Sequence, residues 1–187
     1  DYRSAMLSEM ASHPNASVVM YQQMRGLAKM WNDLIIHSPT DAIIILNDDV
    51  SVLDPSALIE ACTRHINSTR GMLLINGSFS HFCITKQMAI EIGWFDERLL
   101  GFGEEDGDFV HRYNTMYGEP VLSMSCPHIR NHSSSIRDEG VKAGIGKYTR
   151  FNREFIFRGI NGNPAKYHVV KNGFRGMFSV PMDKRLT

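Results

Sequence analysis

The chain reads as an α/β domain in which helices flank a mixed, largely parallel β-sheet. Two patterns predict this. Segments with the 3.6-residue spacing of an amphipathic helix alternate with short β-branched runs, the order expected when successive strands are joined by helical crossovers. One run, Ala42 to Leu46, is apolar throughout, as a strand covered on both faces would be. With 187 residues, 43% of them apolar, the chain has enough material for one core of ordinary size, so residues 1–187 are expected to form a single domain.

The elements follow in order. Residues 3–12 are weakly helical and end at His13-Pro14-Asn15, before a β-branched strand at residues 17–21. A helix over residues 25–37 keeps Leu27, Met30, Trp31, Leu34 and Ile35 on one side, and Pro39 stops it. The apolar strand at 42–46 breaks off at Asn47-Asp48-Asp49. Asp54 then caps a helix with Pro55 in its first turn and Leu58, Ala61, Cys62 and Ile66 facing inward. Residues 72–75 and 81–85 form strands separated by the Asn76-Gly77 turn, and a helix at 86–92 ends at Gly93. A glycine-rich acidic loop over 101–108 leads into a helix that Gly118 and Pro120 close, followed by a strand at 121–125. Beyond Asn131 only a helix at about 147–158 stands out from an irregular tail.

Composition narrows the function classes. No run approaches the roughly 18 apolar residues of a membrane span. A soluble protein is expected, cytoplasmic by default, with a lumenal fragment lacking its anchor as the alternative. Cys62, Cys83 and Cys126 form no CxxC pair, which argues for buried thiols rather than a disulfide framework or zinc ribbon. Residues 1–141 hold 18 Asp/Glu against 10 Lys/Arg, and residues 142–187 hold 2 against 10, so an acidic core is followed by a basic C-terminal segment. That segment suits an anionic partner, either a diphosphate or a membrane surface carrying a lipid-linked acceptor. No reader motif accompanies it, and nucleic acid is not expected as a partner.

Two acidic motifs carry the chemistry. Asp48 and Asp49 end an apolar strand, where open α/β sheets bind ligands. Adjacent carboxylates repel, and a hard divalent cation relieves the repulsion while leaving positions open for phosphate oxygens. The second motif, Gly101-Phe102-Gly103-Glu104-Glu105-Asp106-Gly107-Asp108, sets four acids at a helix start, where an ionised carboxylate is well placed to take a proton from a hydroxyl. Turn geometry and helix-dipole complementation account for such acids equally well.

In order and spacing, Asn47-Asp48-Asp49-Val50, Gly93-Trp94-Phe95-Asp96-Glu97-Arg98 and Gly101 to Arg112 resemble inverting glycosyltransferases of the GT-A fold, both family 2 enzymes and β-1,4-galactosyltransferases. The stretch from Arg25 to Asn32 is similar to the family's helix before the Asp-x-Asp strand. The resemblance implies a Rossmann-like GT-A domain and a hexosyltransferase that uses Mn²⁺ or Mg²⁺, a nucleoside diphosphate sugar donor (UDP-linked first) and a carbohydrate acceptor. It implies that Asp49 ligates the metal, joined by His132 or its competitor His128, and that Asp106 is the catalytic base with Glu105 beside it. Donor and acceptor contacts would fall to Asp48, Asn47, Arg25, Trp94 and Phe102, with Arg150 or Arg153 near the diphosphate. The family begins with a strand, a helix and a second strand, whereas here residues 1–16 alone precede the first expected strand. The fold is therefore expected to lack part of the N-terminal nucleotide-binding strands. A non-catalytic sugar-binding module and a metal-dependent phosphoester hydrolase are the alternative readings.

Overall fold

The computed structural model describes residues 2–23, 25–132 and 148–153. Helices α1 (Tyr2–Ala11) and α2 (Leu27–His37) precede strand β1 (Ala42–Leu46), and β2 (Val50–Val52) leads into α3 (Pro55–Ile66). Strands β3 (Met72–Ile75) and β4 (Ser78–Thr85) are followed by α4 (Lys86–Ile92), α5 (Glu105–Tyr117), β5 (Leu122–Met124) and β6 (Ile129–Asn131). Residues 148–153 are helical.

The four-stranded sheet has the order β1-β4-β3-β5, and a separate two-stranded ribbon pairs β2 with β6. Mixed α/β architecture is as expected, but the sheet is not largely parallel. Among the described strands β1 and β3 both run antiparallel to β4, and only β3 and β5 are parallel. The reason lies at Asn76-Gly77. Both residues take positive φ (52° and 72°), and a two-residue turn of this kind can join only antiparallel neighbours.

Two further expectations change. β1 sits at an edge of the sheet, with Ala42 and Leu46 exposed and Ile45 buried. Its apolar run arises because Ile43 and Ile45 face one core cluster and Ile44 the other. Residues 17–21 form no strand. Val18, Val19 and Met20 are exposed there. The ribbon was not anticipated, since three-residue strands carry too little alternation to stand out. Most of the basic C-terminal segment and the remainder of the helix expected at 147–158 lie outside the described residues.

The sheet separates two apolar clusters. Ile45, Met72, Phe82 and Ile84 point toward α2, α4 and α5, where Trp31, Phe95 and Phe109 join them. Ile44, Leu73, Ile75 and Cys83 point toward α3 and β6. Local capping agrees with the sequence: Ala57 N–H donates to Asp54 Oδ1 (3.0 Å), and Gly93 ends α4 in the left-handed region (φ 87°). All three cysteines are buried and free. Among the described residues no helix is long and apolar enough to cross a membrane.

A buried ion pair ties α5 to α4. Arg112 Nε donates to Asp108 Oδ2 (3.0 Å) and Nη1 to the Ile92 carbonyl (2.6 Å), with both side chains 1% exposed or less. Removing one partner strands a charge in the core. Asp108→Ala is therefore expected to cost about 3 to 5 kcal/mol in urea denaturation, whereas Asp108→Leu with Arg112→Met recovers most of the loss.

Candidate functional site

The first acidic motif is held by the last rung of the sheet. Asn47 N–H donates to the Ser80 carbonyl of β4 (2.8 Å), and Val50 N–H donates back to the Asn47 carbonyl (3.3 Å), so Asp48 and Asp49 occupy a tight turn. The chain then enters β2. Its partner β6 returns His132 to this point, where His132 N–H donates to the Asp49 carbonyl (2.7 Å) and the ring Nε2 lies 2.9 Å from Ser51 Oγ. The ribbon thus brings the backbones of Asp49 and His132 together, while the His132 ring meets Ser51. His128 instead offers its backbone carbonyl to Leu53 N–H (2.8 Å).

Asp48 is exposed, whereas Asp49 is partly buried and its Oδ1 is enclosed without a hydrogen-bond partner. His81 of β4, the register partner of Leu46, is 3% exposed, and its Nδ1 is also enclosed without a partner. Burial lowers the imidazole pKa, and the charge of Asp49 partly offsets that effect. An orphaned carboxylate oxygen is an acceptor that a cation would satisfy, so Asp49 fits the metal role the resemblance implies. Among the described residues no three His, Cys, Asp or Glu side chains already form a metal-holding group.

The second motif is shaped by its glycines. Gly101 (φ 58°) and Gly103 (φ 103°) adopt torsions that other residues avoid, and a Cβ at either would strike the Tyr148 ring or Thr149. The loop packs directly on the helix at 148–153. Asn152, fully buried there, donates through Nδ2 to the carbonyls of Leu100 (2.9 Å) and Gly103 (2.7 Å) and accepts from Leu100 N–H (2.8 Å). Sequence reading missed Asn152 and Tyr148, because a lone Asn in a basic helix carries no pattern.

The four acids have four different environments. Glu104, with left-handed torsions (φ 74°) at the helix N-cap, accepts two hydrogen bonds from Arg153 at 3.0 and 2.7 Å. Arg153 is therefore engaged with the loop. Glu105 is buried, and desolvation pushes its carboxyl up to about 7, helped by the charges of Asp106 and Glu104 and opposed by backbone hydrogen bonds. Asp106 is exposed, with Oδ1 accepting from Gly107 N–H (2.8 Å). Asp108 is the buried partner of Arg112.

Arg25 is exposed and borders a cavity of about 450 Å³ with Lys29, Glu97, Leu100, Gly101 and Tyr148. Leu27 N–H donates to the Gly101 carbonyl (2.7 Å), so Arg25 belongs beside the glycine loop. Phe102 is partly exposed and meets Tyr148 edge-on at 6.2 Å between centroids. Trp94, expected among the donor contacts, belongs to the first core cluster at 4% exposure with positive φ (69°).

The two motifs stand at the same end of the sheet. Ser80 receives Asn47, while its neighbour Phe79 packs against Phe109 (6.3 Å between centroids), one helical turn after Glu105. No family model matches the chain, and no curated protein matches it significantly.

Glu105 gives the site a pH signature. Its folded pKa is raised, so its contribution to stability is full below the unfolded value near 4.5 and is lost as pH rises through about 7. Without added divalent cation, Glu105→Gln is expected to gain stability relative to the parent between about pH 5 and pH 8 in paired urea titrations. A constant difference across that window would show that Glu105 does not titrate there.

Proposed function

We propose that the chain is a metal-dependent inverting glycosyltransferase of GT-A type. It moves a sugar, as a hexosyltransferase does, from a nucleoside diphosphate donor to a hydroxyl of a carbohydrate acceptor. The observation that carries this reading is the placement of both acidic motifs toward one end of the sheet, linked through Asn47, Ser80, Phe79 and Phe109. The differing environments of the acids add support, because transfer needs a carboxylate open to an incoming hydroxyl and others held for binding.

Asp106 has the exposure a general base requires. In the proposed reaction its carboxylate takes the acceptor's hydroxyl proton as that oxygen attacks the anomeric carbon from the face opposite the diphosphate. The anomeric carbon to oxygen bond breaks, its electron pair leaves with the nucleoside diphosphate, and the new bond forms with inverted configuration. Glu105, with a carboxyl near 7, is half protonated around neutrality and can donate or accept a hydrogen bond to a sugar hydroxyl. Arg25, beside the glycine loop, supplies positive charge, and the partly exposed Phe102 offers an aromatic face for a sugar ring. A bound Mn²⁺ or Mg²⁺ would stabilise the negative charge of the departing diphosphate, and Asp49 would hold it together with a histidine, which the resemblance takes to be His132. Asp48 and Asn47, on the same turn, would contact the donor.

A thermal-shift panel of nucleotide sugars with and without Mn²⁺, paired with an assay for released nucleoside diphosphate, tests the reading. Asp106→Asn is expected to lower turnover by roughly 100-fold or more while retaining metal-dependent donor binding. Asp49→Ala is expected to weaken both. Undiminished transfer by Asp106→Asn would remove it from the role of base. Donor binding without turnover on any acceptor would favour a sugar-binding module, and acceptor-independent release of phosphate a hydrolase.

A further inference from the structure

We infer that His81 is a second protein ligand, beside Asp49, for a divalent cation bound at the carboxyl end of β1. The inference shares Asp49 with the proposed function and adds a residue that neither motif contains.

The argument begins with unpaired atoms. Asp49 Oδ1 and His81 Nδ1 are both enclosed and without hydrogen-bond partners. Buried polar groups are rarely left in that state, and such an orphan is a sign of a missing water, ion or ligand. Both belong to the same end of the β1–β4 ladder, where His81 pairs with Leu46 and Asp49 follows three residues later, yet they do not bond to each other. A cation satisfies both at once, because a carboxylate oxygen and an unprotonated imidazole nitrogen are each electron-pair donors.

The backbone fixes their relation. His81 is paired with Leu46 in the β1–β4 register, and the following rung joins Asn47 to Ser80, so the strand end bearing Asp49 cannot shift without breaking the ladder. Asp49 is also pinned from the other side by His132 N–H. His81 alternates with Phe82, whose ring enters the first core cluster, and shares its face with Cys83, which enters the second. His81 is therefore on the α3 face of the sheet rather than among the aromatic rings. At 3% exposure the ring has little room to turn away. Ligation through Nδ1 requires that nitrogen to be unprotonated, with the proton on Nε2.

Two protein ligands are enough for a cation whose other positions are taken by water and phosphate oxygens. A nitrogen in the set favours Mn²⁺ over Mg²⁺, which prefers oxygen throughout.

The test uses the full chain and Mn²⁺ alone. Binding is followed by the loss of the free-ion electron paramagnetic resonance signal, and directly bound imidazole by ¹⁴N modulation in pulsed spectra. The unsubstituted protein is expected to show nitrogen modulation, His81→Gln to lose or reduce it and to bind Mn²⁺ about ten-fold more weakly or worse, and His132→Gln to retain it. Unchanged modulation in a folded His81→Gln overturns the inference whatever the affinity. Should His81→Gln fail to fold, His132→Gln decides: modulation that persists supports His81, and modulation that vanishes overturns it. Absence of nitrogen modulation from the unsubstituted protein also overturns it. Sugar transfer supported by Mn²⁺ with unchanged modulation in His81→Gln would leave the transfer reading intact. Mn²⁺ held by His81 without transfer from any donor would sink the transfer reading alone.

Discussion

The geometry of the candidate site depends on a cluster of aromatic rings. Trp31 of α2, Phe79 and Phe82 of β4, Phe95 of the α4–α5 connection and Phe109 of α5 pack at centroid distances from 4.6 to 6.4 Å, mostly edge-on or tilted, the arrangement that ring quadrupoles favour. Each ring comes from a segment bound to one of the two acidic motifs. β4 carries Ser80, which ends the ladder at Asn47, and α5 begins at Glu105. Pairs of this kind contribute about 0.5 to 1.5 kcal/mol each beyond area burial. The cluster also packs α5 against β4, and so holds the start of α5, where Glu105 is buried and Asp106 exposed.

Polar clasps take over where the aromatic rings stop. Asn32 accepts from Phe95 N–H (3.0 Å) and donates to the Phe95 carbonyl and Glu97, so α2 reads the backbone of the segment that delivers the glycine loop. Asn152 does the same from the C-terminal side, holding Leu100 and Gly103. Between these two buried amides the loop has little freedom, which suits a site that must hold a carboxylate at a set position. The glycines are needed because the Tyr148 ring and Thr149 occupy the volume a side chain would take. Glu104 adopts left-handed torsions at the same junction, a strain on the order of 1 kcal/mol that its bonds to Arg153 help to offset.

Much of the local structure could be read in advance. The Asp54 cap, the turn at Asn76-Gly77 and the stop at Gly93 each depend on one residue's own torsional or hydrogen-bonding preference, and each was found where expected. Pairing direction was not legible. The apolar run of β1 gave the same signal whether its neighbour ran parallel or antiparallel, since side-chain alternation is identical in both. The run at 17–21 had strand composition but forms no strand, and β-propensity describes fit to a pleated surface rather than an intrinsic backbone preference.

By itself the sequence determined that two acidic motifs exist, that one follows an apolar strand and the other opens a helix, and that both junctions have the residue types for tight turns. Those properties rest on interactions within a few residues, which linear order encodes directly. Tertiary structure alone decided the fate of each acid. In the run from Glu104 to Asp108, one side chain pairs with a distant arginine, one is desolvated, one faces water and one is buried against Arg112. It also decided that His81, unremarkable within its strand, is buried and feels the charge of Asp49, because the electrostatic environment of a side chain is set by what packs around it from elsewhere in the chain.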